Sequence, residues 1–114
     1  MIHMLPHLLF VALWVVAGYA FGQVPRAAEQ YRIPLIAAAA KHLGPNAPIA
    51  SLAGQLHQES GWRTDAKSRF ANGLAQFTPE TAASLARQVP SLRPPRPWEA
   101  SWSLEAFAWL MADE

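Results

Sequence analysis

The chain has 114 residues, of which 52% are hydrophobic and 15% are charged, and its formal net charge is +1. This length permits one small domain at most, and a hydrophobic fraction of this size argues against disorder. The absence of cysteine from the sequence excludes disulfide frameworks, thiolate metal sites and cysteine nucleophiles.

An N-terminal export signal is predicted in residues 1–22. The apolar run Leu8–Phe21 is too short for a comfortable membrane span, and small residues at its end suit cleavage after Ala20, with cleavage after Gly22 as the alternative. No Lys or Arg precedes the run, so an uncleaved membrane anchor is the second interpretation. Either interpretation predicts that residues 23–114 lie in the periplasm or otherwise outside the cytoplasm, free or attached to the membrane.

Helices joined by proline-rich connections are predicted downstream. The first, Arg26–Leu43, is rich in alanine and is followed by Gly44 and Pro45, which stop helices. Pro34 lies inside this segment, so the helix either begins at Pro34 or is kinked there. The residues predicted to form its core face are Ile33, Ile36, Ala40 and Leu43.

The next helix is predicted to begin at Pro48, as a first-turn residue, and to end at Glu59 and Ser60. Apolar residues recur along it at steps of three and four: Ile49, Leu52 and Leu56. Glu59 takes the next position of this stripe, so its carboxyl group is expected to face inward, where desolvation raises its pKa. A carboxylic acid that stays protonated near neutral pH is a candidate proton donor for glycosidic-bond cleavage. The alternative is a glutamate at the helix end that points to solvent.

A loop with polar and basic groups is predicted over Gly61–Asn72. Its basic residues are too sparse to form a basic face, so nucleic acid is not an expected partner. Thr78 is the expected N-cap of a helix that begins at Pro79. The residues predicted to form the buried side of this helix are Ala82, Leu85, Ala86 and Val89.

The C-terminal part combines a stiff proline-rich linker, Ser91–Pro97, with a last helix over Ser103–Met111. The residues expected to pack inward from this helix are Phe107, Leu110 and Met111, and the tryptophans expected to pack around it are Trp98, Trp102 and Trp109. No stretch shows sustained alternation of apolar and polar residues, so no strand is predicted. The fold class is therefore predicted to be all-α.

Three short motifs follow one another between Leu52 and Leu85. They are Glu59-Ser60, then Ser68, then Gly73-Leu74-Ala75-Gln76 followed by Phe77-Thr78-Pro79-Glu80-Thr81. In this order and spacing the segment resembles the catalytic core of the lytic transglycosylases of the lysozyme superfamily, enzymes that cut bacterial peptidoglycan. The resemblance implies a small lysozyme-like helical domain over residues 23–114.

The resemblance also implies a mechanism with one acid. Glu59 would protonate the glycosidic oxygen of the β-1,4 bond between N-acetylmuramic acid and N-acetylglucosamine. The substrate's acetamido oxygen would stabilise the charge at the anomeric carbon, and the ionised Glu59 would then take the C6 hydroxyl proton as a 1,6-anhydro ring closes. No metal or cofactor is implied, peptidoglycan glycan strands are the expected partner, and a monomer is expected.

Further site residues follow from the same resemblance, each with a structural alternative. Ser60 would orient the acid, or simply end the helix. Gln76 would bind the sugar acetamido group or support Glu59, or else be an amide that satisfies the loop backbone. Gly73 would allow a tight turn against the Glu59 helix. Ser68 and Phe77 would complete the substrate-binding set, although an aromatic residue at this place is as often part of the core.

The sequence departs from the family pattern at its C-terminal end. The family continues past the segment that matches 97–111, with another helix and a tyrosine that faces the glutamate, whereas this chain ends at Glu114. A C-terminally shortened domain with an incomplete second lobe is therefore expected. Two further function classes stay open: a lysozyme-like hydrolase, in which water replaces the internal hydroxyl group, and a non-catalytic peptidoglycan-binding remnant.

Overall fold

A computed structural model of the protein describes residues 25–113, so the predicted leader lies outside the described residues. A 3-10 segment, Arg26–Tyr31, leads into four α-helices, and a 3-10 turn, Pro90–Leu92, lies between the third and the fourth. The α-helices are α1 (Arg32–Leu43), α2 (Ile49–Ser60), α3 (Pro79–Gln88) and α4 (Ala100–Ala112). The described residues contain no strand, only isolated bridges at Asn72, so the prediction of an all-α fold is confirmed. Between residues 25 and 113 no helix is long and apolar enough to cross a bilayer.

Helix α4 forms the centre of the core. The buried residues of this helix are Trp102, Ser103, Leu104, Ala106, Phe107, Ala108, Leu110 and Met111. A helix that is apolar on nearly every side is stable only when other elements surround it, and α1 provides its most extensive helix–helix contact. The predicted inward residues of α4 are confirmed, although the helix begins three residues before the predicted start at Ser103.

The predicted core face of α1 is wrong for Ile33, Ile36 and Ala40, and only Leu43 packs against the core. Ile33 is 71% exposed and Ile36 is 38% exposed, whereas Leu35, Ala38 and Ala39 are buried. Ala40 also lies on the exposed side, and Leu43 is half-buried. Small alanines let the axis of α1 approach α4 closely, because interaxial distance depends on the side chains at the contact.

Pro34 lies in the first turn of α1, which begins at Arg32, two residues before the predicted start at Pro34. In the first turn the missing N–H of a proline breaks no intrahelical hydrogen bond, which explains why the helix continues without interruption. The preceding segment from Arg26 is helical as predicted, but in the tighter 3-10 form.

Helix α2 follows its prediction closely. Leu52 and Leu56 are buried and Ile49 is partly buried against the core. Pro48 lies one position earlier than predicted, at the N-cap. The helix ends at Gly61, whose φ of 61° is the left-handed conformation that commonly terminates helices.

Helix α3 also begins as predicted. The Thr78 hydroxyl oxygen accepts a hydrogen bond from the backbone N–H of Thr81 at 3.1 Å, which confirms the N-cap. Three of the four predicted inward residues are buried, namely Ala82, Leu85 and Ala86, whereas Val89 ends the helix and is half-buried.

The predicted linker Ser91–Pro97 is packed against the helices rather than being a simple spacer. Leu92 is buried, and its carbonyl oxygen accepts a hydrogen bond of 2.7 Å from Trp102 Nε1. The Arg93 guanidinium donates to carbonyl oxygens in the last turn of α3, at 2.7 and 2.8 Å. Trp102 packs as predicted and Trp109 is partly buried, but Trp98 is 57% exposed, so the packing prediction for Trp98 is wrong.

Candidate functional site

A cleft of about 250 Å³ opens between the end of α2, the loop that follows it, the first turn of α3 and helix α4. The described residues that line it are Glu59, Ser68, Phe70, Ala71, Ala75, Gln76, Phe77, Thr78, Thr81 and Leu110. The lining combines one carboxyl group, three hydroxyl groups, one amide and two aromatic rings. Four of the predicted site residues therefore meet in one cleft: Glu59, Ser68, Gln76 and Phe77.

Glu59 is the only carboxylic acid among these lining residues. Its side chain is half-buried as a whole, and Oε2 is shielded from solvent. This placement agrees with the apolar stripe of α2, which turns the last helical turn toward the interior. The prediction that Glu59 points to solvent as a surface glutamate is thereby disfavoured.

Ser60 lies next to Glu59 but does not line the cleft. Its hydroxyl group donates to the Leu56 carbonyl oxygen and accepts from the backbone N–H of Trp62, both at 3.1 Å. These bonds fix the turn at which the chain leaves α2. These hydrogen bonds match the predicted helix-ending role of Ser60. An influence of Ser60 on Glu59 is indirect, because it acts through the position of the last turn of α2.

Trp62 holds the same turn from the core side. Its φ of 67° is unusual for a residue other than glycine, and the ring lies buried and stacked on Tyr31 at a centroid distance of 6.2 Å. The indole Nε1 is buried and has no hydrogen-bond acceptor within residues 25–113. Packing of this large ring therefore stabilises an otherwise unfavourable backbone conformation beside the candidate acid.

Gln76 organises the loop that faces Glu59. Its Nε2 donates to the carbonyl oxygens of Ala66 at 3.0 Å and Gly73 at 2.9 Å, and its own φ is 53°. Both N–H groups of the side-chain amide are used in this way, as predicted by the alternative in which Gln76 satisfies the loop backbone. The amide oxygen is the group that Gln76 can offer to a ligand in the cleft.

Gly73 lies behind the cleft wall and does not line it. Its φ of 86° confirms the predicted tight turn, and the side on which a Cβ atom would lie packs against the backbone before α4. A Cβ atom at this position would lie 1.7 Å from the Pro97 carbonyl oxygen. That same oxygen accepts a 2.6 Å hydrogen bond from Ser103, so Gly73 holds the loop against α4.

Ser68 closes a short turn at the outer end of this loop. Its hydroxyl oxygen accepts from the backbone N–H groups of Phe70 at 3.4 Å and Ala71 at 3.1 Å. The turn leaves Phe70 69% exposed at the cleft, with the Arg69 guanidinium carbon 5.3 Å from the ring centroid. Phe70 is a lining residue that the sequence motif did not identify.

Phe77 lines the inner wall of the cleft with little exposed surface. It is only 3% exposed and packs edge-to-face on Trp102, with ring centroids 5.5 Å apart. Phe77 is therefore mainly a core residue, as its structural alternative predicts, and offers little surface to a ligand. Leu110 also reaches the cleft from α4, which no local sequence pattern indicates.

The acid nearest to Glu59 in the sequence of the loop, Asp65, is absent from the cleft lining. Its side chain is exposed and forms a surface ion pair with Arg63 Nε at 3.3 Å. Asp65 is therefore a surface residue rather than a second acid of the cleft. Within the described residues, no three histidine, aspartate or glutamate side chains cluster closely enough to hold a metal ion.

Comparison of the chain with protein-family models, with curated proteins and with solved structures finds no match. The resemblance to lytic transglycosylases therefore stays a prediction based on the motif residues and on the cleft that they form.

Proposed function

We propose that the protein is a peptidoglycan lytic transglycosylase that cleaves the β-1,4 bond between N-acetylmuramic acid and N-acetylglucosamine. In this proposal the four helices are a lysozyme-like domain, and Glu59 is the single acid and base. The observation that carries it is the position of Glu59, which is half-buried in the cleft and is the only carboxylic acid among the lining residues between 25 and 113.

The shielding of Glu59 Oε2 supports its role as the proton donor. Removal of a carboxyl group from water disfavours its charged form, and in this proposal Glu59 donates its proton to the leaving oxygen. After the glycosidic bond breaks, the same carboxylate accepts the C6 hydroxyl proton of the muramoyl residue. The C6 oxygen bonds to the anomeric carbon, and the 1,6-anhydro product forms without net consumption of water.

The lack of a second carboxylic acid in the described lining supports this chemistry over an ordinary glycosidase mechanism. Retaining and inverting enzymes place a second carboxylate about 5 to 9.5 Å from the acid. Here the other lining groups are hydroxyls, an amide and hydrophobic side chains. A mechanism in which the substrate supplies its own acetamido oxygen and its own hydroxyl nucleophile needs only Glu59.

The polar groups of the cleft suit an acetylated sugar. Gln76 offers its amide oxygen to an acetamido N–H group, and the hydroxyl of Ser68 lies on the same lining. The positions of these groups are fixed by backbone hydrogen bonds, so their orientation needs little reorganisation when a substrate binds.

The test is mass spectrometry of purified peptidoglycan after incubation with the wild-type chain, Glu59→Gln and Asp65→Asn. We expect 1,6-anhydromuropeptides with the wild type, and a loss of at least about 10²-fold in their rate of formation with Glu59→Gln. Asp65→Asn is the matched control, because it removes an exposed carboxylate that does not line the cleft. Its rate should stay within twofold of the wild type.

Other products would identify the other function classes. New reducing ends that depend on Glu59 would indicate a hydrolase. Binding to peptidoglycan without any released product, by both the wild type and Glu59→Gln, would indicate a binding module. In each case circular dichroism of the variants establishes that the compared chains are folded.

A further inference from the structure

Phe70 differs from the other exposed large hydrophobic residues of the described chain because it lines the cleft. The other members of that group are Ile33, Ile36 and Trp98. Single exposed hydrophobic side chains are common on protein surfaces and by themselves indicate nothing. Phe70, however, combines 69% exposure with a place on the wall that also carries Glu59.

The backbone below Phe70 is held in one conformation. Ser68 accepts hydrogen bonds from two successive backbone N–H groups and its own N–H donates to the Ala71 carbonyl oxygen at 3.0 Å. Bridges join Asn72 to Lys67 on one side and to Phe77 on the other. Since the turn is fixed at both ends, the backbone of Phe70 is held at the cleft wall while its ring stays exposed.

One face of the ring already has a partner. The Arg69 guanidinium lies over Phe70, with its carbon 5.3 Å from the ring centroid, at a distance typical of a cation–π contact. This contact restricts the ring and occupies one of its two faces. The 69% exposed fraction of Phe70 leaves ring surface that a ligand can contact.

We propose that Phe70, oriented by Arg69, is a stacking platform for a sugar ring of the glycan strand and sets the affinity of the cleft for its substrate. The C–H face of a pyranose ring is apolar, so stacking on Phe70 removes apolar surface of both rings from water. The proposal rests on the proposed function, because it places the strand beside Glu59. It assigns Phe70 to substrate binding and Arg69 to positioning the ring.

The experiment compares binding and cleavage for Phe70→Ala, Phe70→Trp and Trp98→Ala. Binding to insoluble peptidoglycan sacculi is measured by co-sedimentation in the Glu59→Gln background, and cleavage rates are measured with Glu59 intact over a range of substrate concentrations. Trp98→Ala is the control, since it removes an aromatic side chain of comparable exposure, 57%, that does not line the cleft. Thermal unfolding followed by circular dichroism compares the stability of all variants.

We expect Phe70→Ala to raise the dissociation constant and KM roughly tenfold, an effect typical of one lost ring contact. The kcat value should stay within twofold, because Glu59 is unchanged. Phe70→Trp should restore wild-type affinity, and Trp98→Ala should have no effect on either quantity. Arg69→Ala should raise KM less than Phe70→Ala, because the ring stays in place but loses its orientation.

Two results would overturn this inference in distinguishable ways. If the wild type cleaves peptidoglycan and Phe70→Ala does so with unchanged KM and affinity, the stacking role is wrong and the proposed function stands. If the folded wild-type chain neither binds nor cleaves peptidoglycan, the proposed function fails and the stacking role fails with it.

Discussion

At the scale of single residues, the cleft depends on backbone conformations that few side chains tolerate. Trp62, Gly73 and Gln76 all have positive φ, at 67°, 86° and 53°. A residue other than glycine pays about 1 to 2 kcal/mol for this conformation, and each of the two here makes contacts that offset the cost. Trp62 stacks on Tyr31 in the core, and Gln76 donates to two loop carbonyl oxygens. Trp62 therefore holds the turn that follows Glu59, and Gln76 holds the loop on the other side of the cleft.

Gly73 gives the most direct test at this scale. In Gly73→Ala the new Cβ would overlap the Pro97 carbonyl oxygen at 1.7 Å, in addition to the strain of a positive φ. The two effects together should lower the free energy of unfolding by roughly 3 kcal/mol or more, measured by urea unfolding. Gly61→Ala is the matched control, because Gly61 also has a positive φ but has open space around it. Equal losses in the two variants would contradict the role of Gly73 as a close-approach site.

At the scale of elements, α3 shows how a local sequence signal positions part of the cleft. Thr78 Oγ1 accepts from the Thr81 backbone N–H and donates to Thr81 Oγ1 at 3.0 Å, and both residues line the cleft. The N-cap thus fixes the start of the helix and the orientation of two hydroxyl groups with the same set of hydrogen bonds. Because Thr81 Oγ1 only accepts in this arrangement, its own hydroxyl hydrogen can be donated to a substrate without loss of the cap.

Removal of the cap should therefore destabilise the domain. Thr78→Ala should lower the free energy of unfolding by about 1 kcal/mol, because one backbone N–H of the first turn loses its acceptor. Thr78→Ser keeps the oxygen atom and should lose less than half of this amount. Urea unfolding of both variants measures the difference, and an equal loss in the two would assign the effect to the Thr78 methyl group rather than to the cap.

Local signals explain which elements could be predicted from the sequence. Helices α2 and α3 have polar and apolar residues in a clear 3.6-residue rhythm with proline or threonine at their starts. Both begin close to their predicted starts, and α2 also ends where it was predicted to end. Helix α1 has alanine on every side, so its periodicity did not distinguish Leu35 and Ala38 from Ile33 and Ile36. The choice between those faces depends on contact with α4, which is distant in the sequence.

The same distinction between local signals and long-range contacts applies to the site. The motif predicted that Glu59, Ser68, Gln76 and Phe77 belong together, and they line one cleft. The motif could not predict that Gly73 faces the chain before α4, because this contact depends on long-range packing.

At the scale of the whole molecule, α1 and α4 hold the described chain together. Their contact is the most extensive between any two helices, and Leu110 of α4 extends from it to the cleft. Polar groups join the same pair of helices at the surface, where Glu105 Oε2 accepts from Lys41 Nζ at 2.8 Å and lies 2.6 Å from His42 Nε2. Weakening the contact between α1 and α4 is therefore expected to lower the free energy of unfolding of the whole domain, and not only to loosen one loop.

The charge of Glu105 gives this contact a definite dependence on pH. Burial raises the pKa of Glu105, but the hydrogen bonds and charges of Lys41 and His42 outweigh burial, so the pKa lies below its ordinary value of 4.5. A carboxyl group with a lowered pKa in the folded chain stabilises the fold above its unfolded pKa, and this contribution is lost as pH falls through the folded value.

Glu105→Gln should accordingly lower the free energy of unfolding by about 1 kcal/mol at pH 7, and the deficit should shrink below about pH 4. Asp65→Asn, which removes an exposed ion pair, should change stability by less than about 0.5 kcal/mol at either pH. Urea unfolding at several pH values measures both variants, and a deficit for Glu105→Gln that is the same at pH 3 and pH 7 would mean that packing, rather than charge, joins α1 to α4 at this point.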